Sequence, residues 1–238
     1  MSVNLAAGSD RITPEDVAAN WVALNARVDE ICREVGRSRH ELTIVAVSKT
    51  MSVDLLTAAY EAGARDFGEN HAVELVGKAT QMPEVNWHFV GRLQSNKINA
   101  LAPYVSRYHS IDREKTASAL AVRAPGARVF VQVNLAGEAQ KGGCGPDKTG
   151  SLVEHCQANG LEVDGLMTVP PVDEDPTEWF IRLRALADDL SLVGCSMGMS
   201  DDFDAAIRTG ATTLRIGRTI FGPRQTFHRS TPTITRSR

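Results

Sequence analysis

Five places in this 238-residue chain carry side chains whose type and spacing could do chemistry. Lys49, in Ala46-Val47-Ser48-Lys49-Thr50, closes an apolar run. Apolar walls disfavour the ammonium, so a neutral amine is easier to reach and can condense with an aldehyde to give a Schiff base. A lysine at a strand end can also simply reach into water. Asn70, in Gly68-Glu69-Asn70-His71, can donate and accept without changing charge, which suits a ligand's ring hydroxyl. It equally suits a helix N-cap. His88 stands in Trp87-His88-Phe89-Val90, and a lone strand histidine is more often packed and hydrogen-bonded than catalytic.

The last two places belong together. Gly194-Cys195-Ser196-Met197-Gly198-Met199-Ser200 precedes a helix expected from Asp201, and Leu214-Arg215-Ile216-Gly217-Arg218 follows close behind. Gly198 and Gly217 let backbone N–H groups approach an anion, Ser200 adds a hydroxyl at the helix start, and Arg218 adds a charged fork. Ser200, Asp201 and Asp202 also read as an ordinary helix start, and the two acids would repel an anion unless they turn away.

Those residues need elements to position them. Thr13, Pro14, Glu15 and Asp16 open a helix over 14–35, with Val17, Trp21, Leu24, Val28 and Ile31 on one face and Gly36 as its stop. Strands are then predicted at 42–47, 65–67, 85–90, 107–111, 128–135, 161–169, 192–196 and 212–216. Helices are predicted between them at 53–62, 71–80, 97–101, 113–123, 146–159, 176–190 and 201–209. Eight strand-then-helix units argue for a parallel sheet and a single (β/α)8 barrel with an extra N-terminal helix. A doubly wound open sheet is the second choice. In a barrel, active sites sit at the C-terminal strand ends, and phosphate sites often follow strands seven and eight. Lys49 would then face the Gly198–Ser200 and Gly217–Arg218 cradle across the mouth. A ligand with an aldehyde at one end and a phosphate at the other fits, and pyridoxal phosphate is one. Arg215 would face the pyridine nitrogen and keep it unprotonated, since a guanidinium does not give up a proton.

Composition narrows the class. Apolar residues make up 42% and charged residues 23%, the balance of a globular protein. With 26 basic against 29 acidic residues, net −3, no general polyanion-binding surface is expected, so nucleic acid is not an expected partner. Cys32, Cys144, Cys156 and Cys195 form no CxxC pair or zinc spacing, and read as reduced, mostly buried thiols. Residues 1–10 lack a basic region followed by an apolar run, and no stretch has a membrane span's length, so a cytoplasmic location is expected. The Ser-, Thr- and Arg-rich segment 223–238 is expected to be a mobile tail beyond a barrel domain over 1–222.

At these residues the chain resembles the pyridoxal phosphate homeostasis protein family. The resemblance is carried by Val45-Ala46-Val47-Ser48-Lys49-Thr50, Phe67-Gly68-Glu69-Asn70, Trp87-His88-Phe89-Val90-Gly91 and Leu93-Gln94-Ser95-Asn96-Lys97. It continues through Gly165-Leu166-Met167, Ser196-Met197-Gly198-Met199-Ser200-Asp201-Asp202, Arg215-Ile216-Gly217 and Ile220-Phe221-Gly222. These run in order over about residues 40–222. The resemblance implies a barrel like the N-terminal domain of alanine racemase, and pyridoxal phosphate held as a Schiff base on Lys49. It implies cofactor contacts from Asn70, Met199, Ser200, Arg215, Gly217 and Arg218. It also implies a non-catalytic carrier that buffers and delivers the cofactor and maintains vitamin B6 and amino-acid balance, with pyridoxal phosphate-dependent apo-enzymes as partners.

Arg218 departs from the small hydroxyl residue common at that place, and Cys144 departs from an aliphatic one in Lys141-Gly142-Gly143-Cys144. The Arg-rich tail has no counterpart and is assigned no role. Lys141 is the second candidate lysine for transient attachment. Two other readings stand beside the carrier. One is a fold-type III enzyme with amino-acid racemase activity, disfavoured because about 20 residues after the eighth strand are too few for a second domain. The other is a barrel acting on a phosphorylated sugar, with Lys49 as its Schiff-base residue. The same shortness predicts a monomer with an exposed, exchangeable cofactor.

Overall fold

The structure is a computed structural model and describes residues 12–223. Eight parallel strands close into a barrel in sequence order. They are β1 (Thr43–Val47), β2 (Asp66–Glu69), β3 (Asn86–Phe89), β4 (Val105–Ile111), β5 (Arg128–Gln132), β6 (Glu162–Met167), β7 (Gly194–Ser196) and β8 (Thr213–Ile216). Closure comes from β1 pairing with β8, from Thr43 beside Thr213 to Ala46 beside Ile216. That closure removes the open-sheet alternative.

The N-terminal helix α1 (Pro14–Glu34) forms as its sequence predicts. Thr13 Oγ1 accepts from the Asp16 N–H, and the Asp16 carboxylate accepts from the Thr13 N–H, so a reciprocal capping box starts the helix. Val17, Trp21, Leu24, Val28 and Ile31 are buried along one face. The outer ring continues with α2 (Val53–Glu61), α3 (Ala72–Ala79), α4 (Ile98–Leu101), α5 (Glu114–Arg123), α6 (Pro146–Ala158), α7 (Pro176–Asp189), α8 (Phe203–Arg208) and α9 (Arg218–Phe221). All four cysteines are buried, and burial pushes Cys156 up to about 12 and Cys195 up to about 11.

The differences from expectation lie at element ends and in one short added helix. The strand expected to reach Leu135 stops at Gln132, where Val133 makes only an isolated bridge to Cys144. The helix expected from Asp201 begins at Phe203, because residues 200–202 form a turn in which Asp202 binds back to the Met199 N–H. Ser200 therefore does not open that helix. The four-residue helix α9 after β8 was not predicted: too short to show a periodic face, it leaves no helical pattern in the sequence. The expected tail lies outside the described residues, apart from Pro223.

Candidate site at the C-terminal mouth of the barrel

A cavity of about 630 Å³ opens where the strands end. Lys49, Asn70, Met199, Ser200, Arg215, Gly217 and Arg218 all line it, with Val47, Met51 and Met167 among its apolar walls. The fold thus gathers residues scattered over 170 positions of sequence into one place.

Lys49 lies just past the end of β1 and is half-buried. Its backbone is held on both sides. Lys78, near the end of α3, donates from Nζ to the Ser48 carbonyl at 2.7 Å, to Glu69 Oε1 at 2.6 Å and to Glu74 Oε1 at 2.8 Å. Glu74 Oε1 in turn accepts from the Thr50 N–H at 2.6 Å, and the Ser48 hydroxyl donates to Glu69 Oε1 at 2.7 Å. Thr50 sits at φ 68°, a left-handed conformation that a β-branched residue adopts only when its surroundings enforce it. Lys78 uses all three of its donors in this clamp, and burial raises the Glu69 carboxyl while Lys78 opposes the rise. The sequence signalled neither Lys78 nor Glu74 as site residues. Their one trace was a lysine and an acid four apart on a helix, which reads as a surface pair.

Asn70 does not cap α3, because His71 occupies the N-cap. Asn70 lines the cavity instead, and its Oδ1 is buried with no hydrogen-bond partner in the protein. Buried polar atoms are rarely left so, and an orphan beside a cavity marks a place where a ligand donor belongs.

Arg215, on β8, is buried, and its two terminal nitrogens donate to Ser196 Oγ and the Thr168 carbonyl, each at 2.8 Å. Burial lowers its pKa to about 10, with Asp202 opposing, so it keeps its charge at neutral pH. At the rim, Ser200 Oγ accepts from the Thr219 N–H at 3.2 Å. Gly217 passes so close to β1 that a Cβ there would lie 3.2 Å from the Val47 carbonyl oxygen. Arg218 is exposed and paired with the exposed Asp201, and Asp201 and Asp202 also line the cavity.

Gly198 sits at φ 94°, and a Cβ there would lie 2.6 Å from that of Ala206. The Met199 N–H donates to the Asp202 carboxylate. His88 is fully buried and hydrogen-bonded, the ordinary outcome for a strand histidine.

The profile of the alanine racemase N-terminal domain matches residues 20–225. A pyridoxal phosphate homeostasis protein of Pseudomonas aeruginosa is 41% identical over 220 residues, spanning 87% of this chain and 96% of the relative. The chain belongs to the pyridoxal phosphate homeostasis protein family. A homeostasis protein of Aquifex aeolicus is 36% identical over 84% of this chain and 94% of its own length. Among solved structures, PipY of Synechococcus elongatus with PLP bound superposes with a TM-score of 0.76 at 27% identity, over 87% of this chain and all of that one.

Proposed function

We propose that this chain binds pyridoxal 5'-phosphate in the C-terminal mouth and acts as a carrier that buffers and delivers it. The observation that carries this reading is one cavity lined by a half-buried lysine, a buried asparagine oxygen without a partner and a buried charged arginine. That donor set fits the cofactor. The Lys49 amine would add to the aldehyde carbon and release water, leaving a C=N bond. When bound, the cofactor supplies an electron-accepting ring.

The protein's own residues do the rest. Asn70 Oδ1 would accept from the ring hydroxyl. Arg215, already fixed by Ser196 and Thr168, would face the pyridine nitrogen and supply no proton to it, which keeps the ring a weak electron sink. Ser200, Gly217 and the backbone at Met199 would border the phosphate. Arg218 could exchange Asp201 for it, since an exposed ion pair contributes at most about 1 kcal/mol.

The barrel over 1–222 is read as one cofactor-binding unit, monomeric and cytoplasmic, serving apo-enzymes that need the cofactor. Among the described residues no helix is long and apolar enough to cross a membrane. Addition of pyridoxal phosphate to the purified protein should give a saturable visible absorbance band. Incubation with D- or L-amino acids should then give no racemization above free cofactor. Turnover at enzymatic rates would replace the carrier with the racemase, and a colourless protein would remove the cofactor reading.

A further inference from the structure

A hydrogen-bonded chain crosses the barrel interior from Arg215. Arg215 Nη1 meets Ser196 Oγ at 2.8 Å, Ser196 Oγ meets His109 Nδ1 at 2.8 Å, His109 Nε2 meets His88 Nδ1 at 2.9 Å, and His88 Nε2 meets Asp66 Oδ1 at 3.0 Å. The links come from β8, β7, β4, β3 and β2 in turn. Ser196, His109 and His88 are completely buried. Arg215 lines the cavity at the C-terminal mouth, whereas His88 lines a second cavity, of about 580 Å³, with Arg107, Arg128 and Asp164.

The carboxylate end fixes the order of every proton in the chain. A carboxylate only accepts, so His88 donates from Nε2 to Asp66, and in a neutral ring its Nδ1 is bare. His109 must then donate from Nε2 to His88 Nδ1, which leaves its own Nδ1 bare. The Ser196 hydroxyl donates to that Nδ1 while its Oγ accepts from Arg215, since a guanidinium only donates. Only one arrangement of neutral imidazoles satisfies all four links. We infer that Ser196, His109, His88 and Asp66 are positioning residues for Arg215, a chain of fixed polarity in which a carboxylate at the start of β2 sets the orientation of the guanidinium at the opposite mouth.

The surroundings agree. Burial holds both imidazoles below their usual pKa, His109 well below it. The charged groups facing the pair are Asp66, Arg107, Asp164 and Arg215, and the two cations beside His109 oppose a further positive charge. The His109 ring also lies 4.7 Å from that of Phe130, which limits its rotation.

Histidine side-chain nitrogen NMR on the cofactor-free protein tests the chain itself. Both rings should be neutral Nε2–H tautomers between pH 7 and 8. An Nδ1–H tautomer or an imidazolium at either position would overturn the inference, whatever the cofactor does. The second test rests on the proposed placement of Arg215 beside the cofactor ring. Asp66→Ala should populate the Nδ1–H tautomer of His109, two links away, weaken pyridoxal phosphate binding about threefold and change the pH profile of the visible band. Asp66→Asn, which keeps an acceptor, should restore all three. A variant that lowers only the melting temperature would reduce the chain to a structural role and contradict the proposal. Loss of the visible band in the unaltered protein, with the tautomers as stated, would instead count against the cofactor reading.

Discussion

Asn70 shows what a single residue can be asked to do. Its Oδ1 is buried beside the cavity and makes no hydrogen bond, so the folded protein gains nothing from it. Asn70→Ala should therefore change the melting temperature little while weakening pyridoxal phosphate binding about tenfold, the loss of roughly one hydrogen bond. Thermal unfolding and an absorbance titration read the two effects separately, and equal loss in both would make Asn70 a structural residue. At this scale Lys49, Asn70 and Arg215 were legible because each is a polar side chain where an apolar run ends or within a strand. Lys78 was not, because nothing in a helical sequence tells a buried lysine from a solvated one until α3 is docked against β1 and β2. His109 was missed for a related reason: its partners, His88 and Ser196, are 21 and 87 residues away and meet only inside the closed barrel.

At the scale of elements, the site depends on how α3 is tied to the end of β1. Lys78 holds the peptide before Lys49, and Glu74 holds the peptide after it. Lys78→Met would leave the buried Glu69 carboxylate without its cation and should cost about 3–5 kcal/mol, seen as a lower urea midpoint. Replacing the pair together, Lys78→Met with Glu69→Leu, should recover part of that stability but not the placement of Lys49, so cofactor affinity should stay low. Recovery of both would show that the clamp does not position Lys49. Element identities were largely legible from apolar runs and their spacing. Their ends were not, because the turn over 200–202 is set by one side chain binding back to a backbone N–H, a choice that periodicity does not record.

At the scale of the whole molecule, the barrel interior is partly polar, and that gives stability a pH dependence. His88 and His109 titrate below their usual value of 6.5 when folded, chiefly through burial. As the pH falls through 6.5 the unfolded chain takes up protons on these rings before the folded chain does. Their contribution is present above that pH and declines as the pH falls, by up to about 1.4 kcal/mol per pH unit for each ring. The melting temperature should drop between pH 7.5 and 5.5, and His109→Gln should make the drop shallower. An unchanged slope in that variant would show that the ring protonates freely in the fold. The eightfold alternation made the barrel readable from sequence, whereas its closure rests on the β1–β8 pairing, which no local pattern encodes.

The central claim is that Lys49 anchors the cofactor. Incubating the protein with pyridoxal phosphate, reducing it with borohydride and mapping its peptides by mass tests that claim most directly. A single stoichiometric label on the peptide containing Lys49, absent from Lys49→Ala, is the predicted result. Labels spread over surface lysines, or placed at Lys141 with Lys49 unmodified, would contradict the account.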